Sequence, residues 1–354
     1  MKNTRLRDLG LSVGVMPPGP LNAITDVPGI WVGHTTLIQD EPTVARTGVT
    51  VIVPREDNIR NDYCFAGYHS FNGNGEMTGS HWIDASGLLT SPIGLTNTYS
   101  VGVVHDALIE WSIMRHGGGY GLPVVAETFD GWLNDIRAFH VKREHVFAAL
   151  DNAGPGPVAE GNVGGGTGMI CHDFKGGIGT SSRIVSSPSG QFAVGALVQA
   201  NYGDRSHLRL DGRPLGHALT GDEVPLPFKQ RPDGSSIIVV LATDAPLLTP
   251  QCRRLAQRAT VGLARAGGIG HNGSGDIFLA FATGNHVPVA ADAPIAVQML
   301  PDSQIDPFFE AAAEATEEAI LNALVAAETM TGFQGRTVYA MPNERVRELV
   351  NMGF

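Results

Sequence analysis

Three runs in this sequence have no polar face: Phe192–Gln199, Ile237–Ala242 and Ile277–Ala282. An amphipathic element leaves polar residues at a period of two or 3.6, and these runs leave almost none. A strand that is apolar at every position must be covered on both sides. The chain is therefore expected to build a layered structure with sheet in its interior. Further strand-like runs occur at Trp31-Val32, Val49–Val53, Val101–Val104 and Pro123–Ala126. Helical patterns separate them: Asp106–Arg115, Gln251–Arg265, which stops at Gly267-Gly268, and the alanine-rich Phe308–Met330. Mixed elements without a linker or repeat imply one α/β domain over residues 1–354. The polar, proline-bearing stretch Asp204–Asp233 reads as a long excursion, expected to be mobile or to pack on a partner subunit.

Composition narrows the function classes. With 43% hydrophobic and 17% charged residues, the 354-residue chain is a globular one. Its 24 Lys+Arg against 35 Asp+Glu give a formal charge of −11 with no basic cluster, which argues against nucleic acid and anionic membranes as partners. No apolar run approaches the roughly 18 residues of a membrane span. Cys64, Cys171 and Cys252 are odd in number and widely spaced, so neither a disulfide framework nor a zinc site is expected. A reducing cytoplasm is the expected location.

Glycine is abundant, at 45 residues, and clusters beside apolar segments. The run Gly161–Gly168 lacks the strand-to-helix context of a dinucleotide fingerprint, since Asn152–Pro157 ahead of it cannot form a regular strand. It reads as the wall of a glycine-lined cavity. No phosphate-loop motif, no H-E-x-x-H and no G-x-S-x-G elbow occurs. Neither a cofactor nor a metal is expected.

The segment Asn272-Gly273-Ser274-Gly275-Asp276 stands at the mouth of the third apolar run. It spells a turn, and a glycosylation acceptor in a secreted chain. It also suits a nucleophile that cuts its own chain. A serine hydroxyl needs a base, and an N-terminal serine carries one in its own α-amine, of pKa about 7.7–8.0. Reaching that state requires attack of Ser274 on the Gly273 carbonyl, which glycine leaves unobstructed. Asp276 either holds the new amine or anchors the turn.

The wider motif set decides between these readings. Gly19–Gly29, Val32–Thr36, Gly73–Gly79, Val125–Thr128, Gly161–Met169, Gln199–Gly203, Ala242–Pro246, Asn272–Asp276 and Glu314–Ile320 occur in one order along nearly the whole chain. Together they resemble the P1 family of serine aminopeptidases, which includes L-aminopeptidase/D-amidase/esterase enzymes and β-peptidyl aminopeptidases. The resemblance implies a self-cleaving N-terminal-nucleophile hydrolase with a four-layer αββα sandwich, similar to the ornithine acetyltransferase type. It implies a large chain 1–273, a small chain 274–354 and a homo-oligomer, a tetramer among the candidates. The implied activity releases N-terminal residues from short peptides, amides or esters through a seryl acyl-enzyme.

The resemblance also assigns roles. Asn201 becomes an oxyanion donor, against a plain turn residue beside Gly203. Glu127 becomes the anchor for the substrate ammonium, against first-turn stabilisation of a helix that Thr128 and Asp130 could start. Phe129 stands where some relatives carry a tyrosine. A hydroxyl and a glutamate two residues apart support the nucleophile, and Thr316 and Glu318 fit that spacing. At 100° per residue Glu318 shares a face with Leu321 and Val325, while Glu317 turns outward. A shift of four residues selects Ala312 and Glu314 instead. Two other readings stand beside this one: an acyltransferase of the ornithine acetyltransferase type, whose nucleophile is threonine, and a non-catalytic ligand-binding relative.

Overall fold

The computed structural model describes residues 4–117, 121–228 and 234–353. The chain runs through β1 (Trp31–Gln39), β2 (Ala45–Val53), β3 (Asp62–Gly73), α1 (Ser80–Ser86), β4 (Leu88–Leu89) and β5 (Ile93–Asn97). It continues with α2 (Val101–His116), β6 (Val124–Thr128), α3 (Arg143–Asp151), β7 (Ile170–Cys171), β8 (Phe174–Lys175) and β9 (Gly177–Ser187). Next come β10 (Gly190–Asn201), α4 (Leu215–Ala218), β11 (Ser235–Thr243), α5 (Thr249–Arg265) and β12 (Ser274–Pro288). The final elements are α6 (Asp306–Val325), β13 (Met330–Thr331), β14 (Thr337–Val338) and α7 (Asn343–Asn351).

Two sheets carry the fold, one ordered β1-β2-β5-β6 and one ordered β4-β3-β12-β11-β10-β9. Strand alternation sorts the side chains of the larger sheet between two cores. Phe278, Ala280 and Ala282 of β12 pack toward α5 and α6, while Ile277, Leu279 and Phe281 face the smaller sheet. Ile237, Val239 and Leu241 of β11 take the helix side, and Ile238, Val240 and Ala242 the sheet side. The far face of the smaller sheet is covered by α2 and α3 through Val104, Leu108, Trp111 and Val146. The result is helices, sheet, sheet, helices: the expected αββα sandwich. The absence of a polar face in the central runs follows from this double burial.

Three expectations need correction, and two strands escaped the sequence reading. Val101–Val104 is the first turn of α2, because a short apolar run has no period long enough to separate strand from buried helix. Strands β3 and β9 are not apparent in the sequence; they alternate polar and small residues such as Ser70, Asn72, Ser181 and Ser182. The Gly161–Gly168 run is closely packed where an open cavity wall is expected. A Cβ on Gly165 would stand 2.1 Å from Gln199 Oε1 and 2.7 Å from the Leu95 carbonyl, and one on Gly166 would stand 2.3 Å from the Ile178 nitrogen. The run is a wedge that lets backbone pass between the two sheets. The excursion after β10 is packed on its own chain as far as residue 228, since Leu208, Leu210, Leu215, Leu219 and Val224 join the core. Its remaining part, residues 229–233, lies outside the described residues. The three cysteines are buried free thiols, and among the described residues no helix is long and apolar enough to cross a membrane.

Candidate active site

The larger sheet brings the sequence-distant motifs to one of its ends. β12 and β11 run parallel, so their first residues pair, Ser235 with Ser274 and Ser236 with Gly275. The antiparallel neighbours end at the same level: Asn201 of β10 opposes Ser236, and Gly73 of β3 opposes Gly275. A register shift between Asp276 and Ile277 bulges β3 there, as is common beside active sites. The loop after β3 crosses directly over the start of β12. A Cβ on Gly275 would lie 2.5 Å from the Asn74 carbonyl oxygen and 2.7 Å from Gly75 Cα, so only glycine admits the crossing. Glu127, at the end of β6 in the other sheet, reaches the same place: a Cβ on Gly75 would stand 3.3 Å from its Oε1.

Ser274 is buried, and its bonds hold it on three sides. Its Oγ donates to Asp276 Oδ1 at 2.6 Å and lies 3.5 Å from Ser235 Oγ. Two residues apart on a strand, Ser274 and Asp276 share a face by the period of two. The Ser274 N–H donates to the His271 carbonyl at 2.8 Å, and its own carbonyl accepts from the Asn74 N–H at 3.1 Å and from Asn72 Nδ2. The carbonyl of Gly273 accepts from Asn74 Nδ2 at 2.9 Å. Burial pushes the Asp276 carboxyl up to about 6, against the opposing pull of the Ser274 hydrogen bond. A hydroxyl thus sits against a carboxylate of raised basicity, beside a peptide carbonyl polarised by an amide donor.

Glu127 is buried, with Oε1 accepting from the Glu76 N–H at 3.0 Å and Oε2 from the Thr98 hydroxyl. Burial raises its pKa, and those two hydrogen bonds pull it back. No ion pair with Glu127 occurs among the described residues. A buried carboxylate held by neutral donors gains from an incoming cation. Asn201 is buried too, but its Nδ2 already donates to the carbonyls of Phe129 at 3.0 Å and Gly234 at 3.1 Å, while Oδ1 accepts from the Ile170 N–H. Both amide protons thus tie loops together, so an oxyanion would have to displace one carbonyl.

Neither member of the supporting pair is hydrogen-bonded to Ser274 among the described residues. Thr316 donates its hydroxyl to the Ala312 carbonyl at 2.7 Å within α6 and abuts Gly262 of α5. Glu318 is fully buried between cations: Arg7 Nε at 2.7 Å and Arg183 Nη2 at 2.8 Å, with Asn22 Nδ2 at 2.6 Å. Burial favours its neutral form, but the Arg7 hydrogen bond and the charges of Arg183 and Arg7 prevail and hold the carboxyl below its ordinary range. Arg183 lies on the edge strand β9, three strands from β12, or about 14 Å at the usual strand spacing. The alternative pair fares no better: Glu314 bonds Arg183 Nε at 2.8 Å and caps the Val15 and Met16 N–H groups. Glu317, expected to face outward, is buried 3.7 Å from Arg265, and burial pushes it up to about 7.

Sequence reasoning left one neighbour of Ser274 half assigned and missed another. Asp276 reads as a holder of the new amine or a turn anchor until the strand is seen to begin at Ser274, after which the period of two alone puts it beside the hydroxyl. Asn74 lies far upstream, within a matched glycine motif, and only the crossing loop reveals its contact with Gly273.

The family model described as Peptidase family S58 matches residues 22–338. The chain belongs to peptidase family S58. It is 46% identical over 364 residues to "Beta-peptidyl aminopeptidase BapA" of Sphingosinicella microcystinivorans, an alignment covering 98% of this chain and 91% of that protein. Among solved structures it resembles a Burkholderia sp. beta-aminopeptidase, with a TM-score of 0.92, 51% identity and 99% of each chain covered. It also resembles the L-aminopeptidase D-Ala-esterase/amidase of Ochrobactrum anthropi, with a TM-score of 0.91, 44% identity and 99% and 98% of the two chains covered. That structure is described as a prototype for the serine aminopeptidases and a variant of the Ntn hydrolase fold. Membership of S58 makes this chain a serine aminopeptidase, with peptides or amides as its substrate class.

Proposed function

We propose that the chain activates itself by cleaving the Gly273–Ser274 bond and then removes N-terminal residues, with a preference for β-amino residues, through an acyl ester on Ser274. The Ser274 hydroxyl held by Asp276, next to a Gly273 carbonyl held by Asn74, carries this reading. Asp276 takes the hydroxyl proton as Oγ attacks the Gly273 carbonyl carbon, and Asn74 Nδ2 stabilises the oxyanion. The C–N bond breaks, the proton passes to the departing Ser274 nitrogen, and Gly273 is left esterified to Oγ. Water hydrolyses that ester, leaving a Gly273 carboxylate and a free Ser274 amine, with chains 1–273 and 274–354. The amine, of pKa about 7.7–8.0, then serves as base for the same hydroxyl in each turnover. Glu127 receives the substrate ammonium. Asn201 becomes an oxyanion donor if substrate binding frees one of its amide protons.

The β-residue preference draws support from the two relatives named for that specificity. Comparing release from a 3-amino acyl p-nitroanilide with release from its 2-amino isomer tests it, and faster release from the 2-amino isomer would reverse the assignment.

Asp276→Asn is expected to slow self-cleavage about 10²- to 10⁴-fold, the usual worth of a positioned general base. A time course of the small fragment by intact mass reads this directly. Because the base is the ionised form, the parent rate should hold above about pH 6 and fall as pH drops through that value. Glu127→Gln is expected to leave processing intact and raise KM about 10- to 100-fold, the worth of a charged hydrogen bond. Unchanged KM in that variant would remove Glu127 from substrate binding.

A further inference from the structure

A second cluster of ligating side chains lies beside the cleavage segment and has no part in the mechanism above. Asp204 follows the end of β10, His207 sits one 3₁₀ turn later, and His271 is in the loop leading into β12. Asp204 Oδ2 is 3.9 Å from His207 Nδ1 and 3.9 Å from His271 Nε2. One donor atom from each residue falls within 4.8 Å of the other two. The imidazole rings face each other at 5.7 Å, inclined by 33°. His207 Nδ1 is buried as an atom and has no hydrogen-bond partner.

We propose that Asp204, His207 and His271 form a binding site for a divalent late first-row transition metal ion, with zinc as the natural probe. Two imidazoles and one carboxylate are the donor set that such ions favour over calcium or magnesium. Zinc bonds of about 2.0–2.2 Å in a tetrahedron put ligand atoms about 3.3 Å apart. The observed separations therefore need only side-chain rotation to close. The backbone at this point is already held: the His207 N–H donates to the Asp204 carbonyl at 3.0 Å, and the His271 carbonyl accepts from Ser274 and from Asn72 Nδ2. The three side chains are 41%, 41% and 42% exposed, so an ion enters from solvent and keeps a water in the fourth position.

All three ligands precede Gly273. On the self-cleavage reading, the site therefore survives cleavage and pins the new C-terminal tail of the large chain, residues 271–273, to the segment that follows β10. The site itself does not depend on that reading, since the ligands are present in cut and uncut chain alike.

Isothermal titration of the chelator-stripped protein with Zn²⁺ tests the proposal, on both the parent and the uncleavable Ser274→Ala chain. One equivalent is expected in each, and His207→Ala and Asp204→Asn should each weaken it at least tenfold. Circular dichroism of the metal-free variants verifies that they are folded. Cobalt(II) titration supplies an independent readout, a visible absorption band of tetrahedral intensity that His207→Ala abolishes. Absence of zinc binding, or binding of equal strength in folded His207→Ala, would overturn the site.

Discussion

Ser274→Ala is expected to yield one band of 37.4 kDa in place of two fragments, a large one spanning residues 1–273 and a small one spanning 274–354. Release of product should fall by at least about 10⁴-fold, since loss of a nucleophile removes the covalent route altogether. Both losses have one cause. In the proposed mechanism the hydroxyl that opens the Gly273–Ser274 bond is the one that later attacks substrate, and without the first reaction its amine remains locked in a peptide. Electrophoresis and N-terminal sequencing of any small fragment read the first loss, and p-nitroanilide release reads the second. Two fragments from the Ser274→Ala chain would move the nucleophile to another residue. The variant should keep its fold, because the Asp276 carboxyl, already inclined to its neutral form by burial, loses only one hydrogen bond.

Glu318→Ala is expected to destabilise the fold by about 3–5 kcal/mol, the cost of leaving a buried charge without its partner. Arg183 is fully buried and is matched by Glu314 and Glu318 together. Removing Glu318 also unpairs Arg7 and the Asn22 amide, which join the N-terminal segment to α6. Urea unfolding followed by tryptophan fluorescence measures the change as a lower midpoint at unaltered slope. The variant that does fold should still process and turn over at low temperature. An unchanged midpoint with abolished turnover would restore Glu318 to the catalytic apparatus. The same experiment separates two meanings of a buried glutamate on an apolar helix face: a functional charge, or the counter-ion of an arginine contributed by another element.

That ambiguity shows where sequence reasoning stops. The apolar face shared by Glu318, Leu321 and Val325 marks the glutamate as buried, and it is. Its partners come from distant parts of the chain, Arg7 near the N-terminus and Arg183 on β9. Nothing in the local pattern of α6 points to either. Glu317 failed differently. A helix with one covered face would expose it, but α6 lies against both the larger sheet and α5, so nearly its whole circumference is buried. The candidate nucleophile Ser274 was legible because its signal is local: a serine between glycines, at the mouth of a strand with no polar face. Asp276 was half legible, since the strand period places it beside Ser274 only once the strand is known to start there.

What the sequence determined by itself was therefore everything carried by near neighbours and by ordered motifs: doubly covered strands, hence an interior sheet, the family resemblance, and the position of the candidate nucleophile. Tertiary structure alone decided which groups meet. Parallel pairing of β11 with β12 and antiparallel pairing of β10 with β11 gathered Ser235, Ser236, Gly275 and Asn201 at one sheet end. The crossing loop laid Asn74 on the Gly273 carbonyl, and α6 was turned so that its glutamates answer arginines. The physical reason is range. Periodicity and turn chemistry act over a few residues, whereas hydrogen bonds and ion pairs between elements are chosen by packing of the whole chain.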